Sequence, residues 1–158
     1  MIRNTAREIA VHLAYQLNFT ALSVEELLDQ QLSEESFASL AAVSDIYADL
    51  PGKKQEQYIR SLVSGIALHQ GELDGYIEKY ARGWKFSRIP MMAVAIMRVA
   101  LYEILYREDI PNRVAINEAV EIAKRYETEE TAGFINGILG SFLKDEGAEE
   151  SKEDGKEE

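Results

Sequence analysis

Arg3 and Arg7 are four residues apart. On a helix both side chains leave the same face and can hold two phosphates of one strand. By spacing alone the plainer reading, two ordinary arginines, is the stronger one. Tyr15 and Tyr126 each carry a ring that can stack on an unpaired base, or pack in a core. The two histidines, His12 and His69, are far apart, and neither has a carboxylate three residues before it. The Glu-x-x-His pairing of di-iron bundles is therefore missing. Glu118 and Glu121 can share a helix face, but paired carboxylates without a pocket or a metal ligand read as a solvated surface. There is no H-E-x-x-H, no phosphate-binding glycine loop and no nucleophile elbow, and no cysteine. These absences point to binding rather than catalysis, with no metal, cofactor or small-molecule substrate.

The elements that must position these residues are helices. Asn4 or Thr5 can cap a first helix, in which Ile9, Leu13 and Leu17 recur beside Ala6, Ala10 and Ala14. Ser23 and Glu26 have capping-box spacing and open a second. Ser33 and Ser36 start a helix expected to run through Phe37, Leu40 and Ile46 to Tyr47, where Pro51-Gly52 makes a turn. A further helix spans about 54–70. Gly71 breaks the pattern, and Leu73, Ile77 and Tyr80 then line one face of the next helix, which stops near Gly83. From Met91 to Tyr102 only Arg98 is charged, so this helix belongs in the middle of a bundle. The helix after Pro111 buries Ile116, Ala119, Val120 and Ala123. The last buries Phe134, Ile135, Ile138, Leu139 and Phe142. No strand alternation appears. The expected fold is all-α, with seven or eight helices in two packed bundles, about 1–83 and 84–144.

The net charge of −11 is unevenly spread. Residues 145–158 hold eight acidic and two basic groups, leaving −5 for residues 1–144. That tail has no aromatic or branched apolar residue, so it cannot offset its ordering entropy and is expected to be disordered. It should repel nucleic acid at long range. The longest apolar run, Ile89 to Met97, is too short to span a bilayer, and the N-terminus lacks a signal-peptide layout. A cytoplasmic protein is expected.

Three blocks carry a resemblance: WKFSRIPMMAVAIMRVALYEILY (84–106), DIPNRVAINEAVEIAKRY (109–126) and GFINGILGSFL (133–143). Arg98, Ala100, Tyr102 and Glu103 form an R-x-A-x-Y-E ending. Pro111 follows in a short turn. Val114 and Ile116 to Lys124 match V-x-I-N-E-A-[VI]-E-[IL]-A-K, and Phe134 to Leu139 match F-[VI]-N-G-[VI]-L. Their order and spacing resemble the NusB family of bacterial antitermination factors. TAREIAVHLAYQLNF (5–19) is similar to that family's first helix, and the likeness covers most of residues 3–143, weakest over 33–54.

The resemblance implies a binding protein that pairs with NusE, a ribosomal small-subunit protein. Together they would hold the single-stranded boxA element of nascent ribosomal RNA within an RNA polymerase antitermination complex. It implies an RNA surface made of the first helix, with Arg3, Arg7 and Tyr15, and of the last helix with its preceding loop, namely Tyr126, Glu130, Thr131, Phe134 and Asn136. Met92, Ala93 and Met97 fall where partner contacts are expected. Asn117 is expected near a helix start, and Gly137 where a neighbouring helix comes close. Some positions depart from the family pattern. The first helix has only two arginines near its start. Gly133 replaces a basic residue, Tyr126-Glu127 replaces Phe-Gly, and Ala93-Val94 replaces an acidic-basic pair. A divergent interaction module with weak RNA binding is the alternative. A third reading, the domain that precedes an RNA cytosine methyltransferase, is disfavoured by the lack of a nucleotide-binding motif.

Overall fold

A computed structural model describes residues 1–146. Among these the chain is all-helical, with eight α-helices and two 3₁₀ turns. It divides into two compact units, which meet in the sequence at Leu68 and His69.

The first unit holds α1 (Arg3–Gln16), α2 (Val24–Gln31), α3 (Glu34–Leu40), a 3₁₀ turn (Asp45–Tyr47) and α4 (Lys53–Leu68). α1 and α2 pack on α4. Ile9, Leu13, Leu28, Ile59, Leu62 and Ile66 supply the core, all essentially without exposure. Ile2 occupies the N-cap position of α1 and makes no side-chain cap bond. Asn4, expected as the cap, instead accepts a hydrogen bond from Arg7 through Oδ1. The capping box at Ser23 and Glu26 forms as its spacing predicts, with bonds of 3.1 and 2.9 Å. Ser33 caps α3.

The helix expected to continue to Tyr47 does not do so. α3 stops at Leu40, and Ser44 caps the separate turn. Tyr47 is buried there, its ring edge-on to Phe37 at 5.2 Å and its hydroxyl 2.7 Å from His12 Nδ1. Burial, and secondarily the Glu8 charge, pushes the Tyr47 phenol up to about 12. Burial also lowers the His12 imidazole below its ordinary 6.5, against a smaller opposing effect of Glu8. The unfolded chain therefore takes up a proton at His12 before the folded one does. Unfolding free energy should decline as pH falls below 6.5 and level off once the folded His12 is itself protonated. Urea melts of the parent and His12→Gln between pH 7 and pH 5 check this, and identical slopes would refute it.

The second unit holds α5 (Gln70–Tyr80), a 3₁₀ turn (Phe86–Arg88), α6 (Met91–Tyr106), α7 (Asn112–Tyr126) and α8 (Glu129–Asp145). α6 packs on α5, α7 and α8, which is why its sequence is apolar nearly all round. The division falls one helix earlier than the expected boundary near Gly83. α5 packs on α6 and α8, burying Leu73, Ile77 and Tyr80. Gly71 lies within its first turn rather than breaking it.

The one charge in the middle of α6 is answered from α5. Arg98 bonds Asp74 through Nε at 2.7 Å and through its second terminal nitrogen at 2.8 Å, and its side chain is 3% exposed. Asp74→Ala would remove both of these bonds. A loss of about 1.5–3 kcal/mol is expected, read as a lower urea midpoint with an unchanged slope. A change under about 0.5 kcal/mol, the usual range for surface positions, would show that the pair adds nothing.

Two burial expectations for α7 shift. Ile116 and Val120 are only half-buried, while Ala115, Ala119, Ile122 and Ala123 face inward. Residues 147–158 of the expected disordered tail lie outside the described residues. The other two do not fit that expectation: Asp145 ends α8, and Glu146 accepts hydrogen bonds from Lys79 at 2.8 Å and from the Tyr80 hydroxyl. Those bonds hold the Glu146 carboxyl below the usual carboxylate range.

Candidate nucleic-acid interface

Arg3 and Arg7 do share a face of α1, but that face is turned to α4. Arg3 is 5% exposed. Its Nε donates to Gln55 Oε1 at 2.8 Å, and its guanidinium lies 4.1 Å above the Tyr58 ring centre. Arg7 is 1% exposed, donates to Asn4 Oδ1 at 2.9 Å, and lies 6.0 Å from the same ring. Neither arginine is thus open to solvent in this arrangement. In this arrangement their charge is spent on packing against Tyr58 and Gln55 rather than offered to phosphates. Tyr15 is half-buried, with its ring 5.0 Å from that of Phe19, which is 65% exposed. Phe19, just beyond α1, is an aromatic surface the sequence reading did not single out.

The remaining expected RNA residues lie in the second unit. Tyr126 closes α7 and is exposed. Thr128 caps α8, accepting from the Thr131 backbone at 3.0 Å and donating to the Thr131 hydroxyl at 3.0 Å. Thr131 is thus partly engaged in the helix start, and Glu130 is exposed beside it. Asn136 is exposed and, with Asn117, Val120, Glu121, Lys124 and Gly133, lines a shallow groove of about 550 Å³ along α7 and α8. Asn117 sits inside α7, which starts at Asn112 after Pro111, so it caps nothing. A Cβ added at Gly137 would meet no atom within 4 Å, so among the described residues no helix approaches closely there.

Phe134 is half-buried, and its ring centre is 4.7 Å from that of Trp84, which is 44% exposed. Sequence reasoning used Trp84 only to mark the start of a block and missed this pairing. A signal was present: between Glu78 and Glu103 the chain has five basic residues and no acidic one.

The three residues expected to meet a partner differ in exposure. Ala93 and Met97 are wholly buried, and of the three residues only Met92 is partly open. A side chain with no exposed surface touches no partner unless the helix moves. Among the described residues no cluster of three metal-ligating side chains exists, and no helix is long and apolar enough to cross a membrane.

The sequence profile of the NusB family matches residues 4–144. The chain belongs to the NusB family. The transcription antitermination protein NusB of Acetivibrio thermocellus is 43% identical over 144 residues, covering 91% of this chain and 90% of that one. The solved structure of T. maritima NusB superposes with a TM-score of 0.75 at 30% identity, covering 91% and 92% of the two chains. A chain in a crystal structure of a plectonemic RNA supercoil matches at a TM-score of 0.73 and 23% identity, which bears on the fold alone. The all-helical NusB fold and the relatives' names agree with the blocks read along 84–143.

Proposed function

We propose that this chain is a cytoplasmic transcription antitermination factor that acts by binding. It pairs with NusE, joins the RNA polymerase antitermination complex and holds a boxA-like single-stranded RNA. The observation that carries this reading is the family match across residues 4–144, beside relatives named as antitermination proteins over nine-tenths of the chain. Exposed aromatic and amide groups on the second unit support the RNA part. Trp84, Tyr126 and Asn136 offer rings and an amide edge of the kinds that unstacked bases engage.

A second reading has its own observation. Arg3 and Arg7 are buried and bonded within the first unit. A chain that spends its leading arginines on packing fits an interaction module with weak RNA affinity.

Polarisation of a boxA-like RNA dodecamer, titrated with the full chain with and without NusE at several salt concentrations, separates the two. The antitermination reading expects RNA binding that tightens with NusE and falls as salt rises. NusE binding with no RNA signal at low salt would leave the interaction module standing alone.

A further inference from the structure

The C-terminal end of α8 is tied to the C-terminal end of α5. Glu146, at the C-cap of α8, accepts from Lys79 Nζ at 2.8 Å and from the Tyr80 hydroxyl. Lys79 and Tyr80 stand in the last turn of α5, which closes at Ala81. The chain beyond Glu146 therefore departs beside the turn that joins α5 to α6. That turn has a fixed shape. Gly83 takes it at φ +81°, the Trp84 amide donates to the Ala81 carbonyl at 3.1 Å, and buried Ala81 and Ile89 anchor its ends.

The turn carries Arg82, Lys85 and Arg88, all exposed. Among the described residues none of the three has an ion pair or a side-chain hydrogen bond. Elsewhere in the unit, Lys79, Arg98, Arg107 and Lys124 are each paired with a carboxylate. The acidic residue nearest in the sequence is Glu78, four residues before Arg82. In a protein of net charge −11, three neighbouring cations without carboxylates form a local site for an acidic segment. Residues 147–158 are such a segment. They hold six acidic and two basic groups, with acidic pairs at 149–150, 153–154 and 157–158. The first pair follows Glu146 by three residues, a reach of roughly 10 Å when extended. Arg82 follows Tyr80, the residue that holds Glu146, by two. Tethering at Glu146 supplies the segment at an effective concentration of roughly millimolar, so surface ion pairs that are weak one by one act together.

We propose that the acidic segment 147–158 docks in cis on the cationic turn 82–88, its paired carboxylates meeting Arg82, Lys85 and Arg88. The docked segment withholds these cations from any other polyanion, RNA included. Only that consequence rests on the RNA-binding reading; the contact itself does not.

Trp84 is the only tryptophan of the chain and stands between Arg82 and Lys85. Quenching of its emission by acrylamide, which carries no charge, therefore reads how far the turn is covered. The chain cut after Glu146 should be quenched more readily than the full chain, with a cooperative melt retained. Raising the salt to about 1 M, which screens charges beyond ~3 Å, should bring the full chain to the value of the shortened one. A peptide of residues 147–158 should restore cover to the shortened chain only near roughly millimolar concentration. Arg82→Gln, Lys85→Gln and Arg88→Gln together should reproduce the effect of the deletion, and the deletion should then add nothing. A boxA-like RNA dodecamer should bind the shortened chain about tenfold more tightly at low salt, the worth of roughly three surface ion pairs.

Equal quenching of the full and shortened chains overturns the docking, whatever RNA does. Tighter RNA binding by the shortened chain without a change at Trp84 also overturns it, because the segment then acts only through long-range repulsion. A difference in quenching that survives the three glutamine substitutions places the segment elsewhere and equally overturns the proposal. RNA that binds neither chain, beside a salt-sensitive difference in quenching, removes the RNA-binding reading and supports the contact.

Discussion

Ala93→Asp should unfold the second unit rather than trim a partner contact. Ala93 has no exposed surface and is followed by Val94, Ala95, Ile96 and Met97, all buried. An aspartate there adds volume to a filled site and brings a carboxylate with no partner in place. A loss above about 4 kcal/mol is expected, the range reserved for buried unpaired charge. Burial raises the introduced carboxyl's pKa in the folded state, so the folded form binds its proton more readily than the unfolded one. The defect should therefore be largest at neutral pH and shrink as pH falls through the raised folded value. Thermal melts at pH 7 and pH 5, with Met92→Asp as a control, read this. Met92 is half-buried, so its variant should melt close to the parent. Should Ala93→Asp melt like the parent and instead alter NusE binding, Ala93 is open in solution and the partner face read from the sequence returns.

What was legible in the sequence follows from the range of each signal. The capping box at Ser23 and Glu26 and the cap at Ser33 are local and formed as their spacing required. The nearly uncharged run from Met91 announced a helix wrapped on several sides, and α6 is one. Direction was harder to read. An i,i+4 spacing states that Arg3 and Arg7 point together, but not toward what. The answer lies in Gln55 and Tyr58, some fifty residues on. Trp84 and Phe134 are separated by a comparable stretch, so their pairing left no periodic trace. In α6 the apolar residues surround the axis, leaving no polar stripe to tell Met92, partly open, from Ala93, buried. α5 is tied to α6 through Asp74 and Arg98, a pair that nothing in either helix's own pattern reveals.

Arg7→Ala is the substitution on which the sequence and the structure disagree most. Two phosphate-binding arginines on a solvated face would be lost with almost no change in melting. Arg7 is instead among the largest fully buried side chains of the protein. Its removal leaves a cavity, strips the hydrogen bond from Asn4 Oδ1 and takes a cation from a region where Glu8 is also buried. About 3–5 kcal/mol should be lost. At roughly 2–4 °C per kcal/mol for a chain of this size, the melting temperature should fall by several degrees or more. Arg3→Ala, which gives up a stacked guanidinium and leaves Gln55 short of a donor, should cost less. Arg7→Lys should recover only part of the loss, because an ammonium lacks the planar fork that fills this site. RNA affinity measured well below each variant's melting point then separates packing from recognition. A destabilised Arg7→Ala that still binds RNA with the parent's salt slope assigns the arginine to the fold. An unchanged melting temperature with a flattened slope would mean that α1 presents its arginines to solvent, and the burial described above would be wrong for the protein in solution.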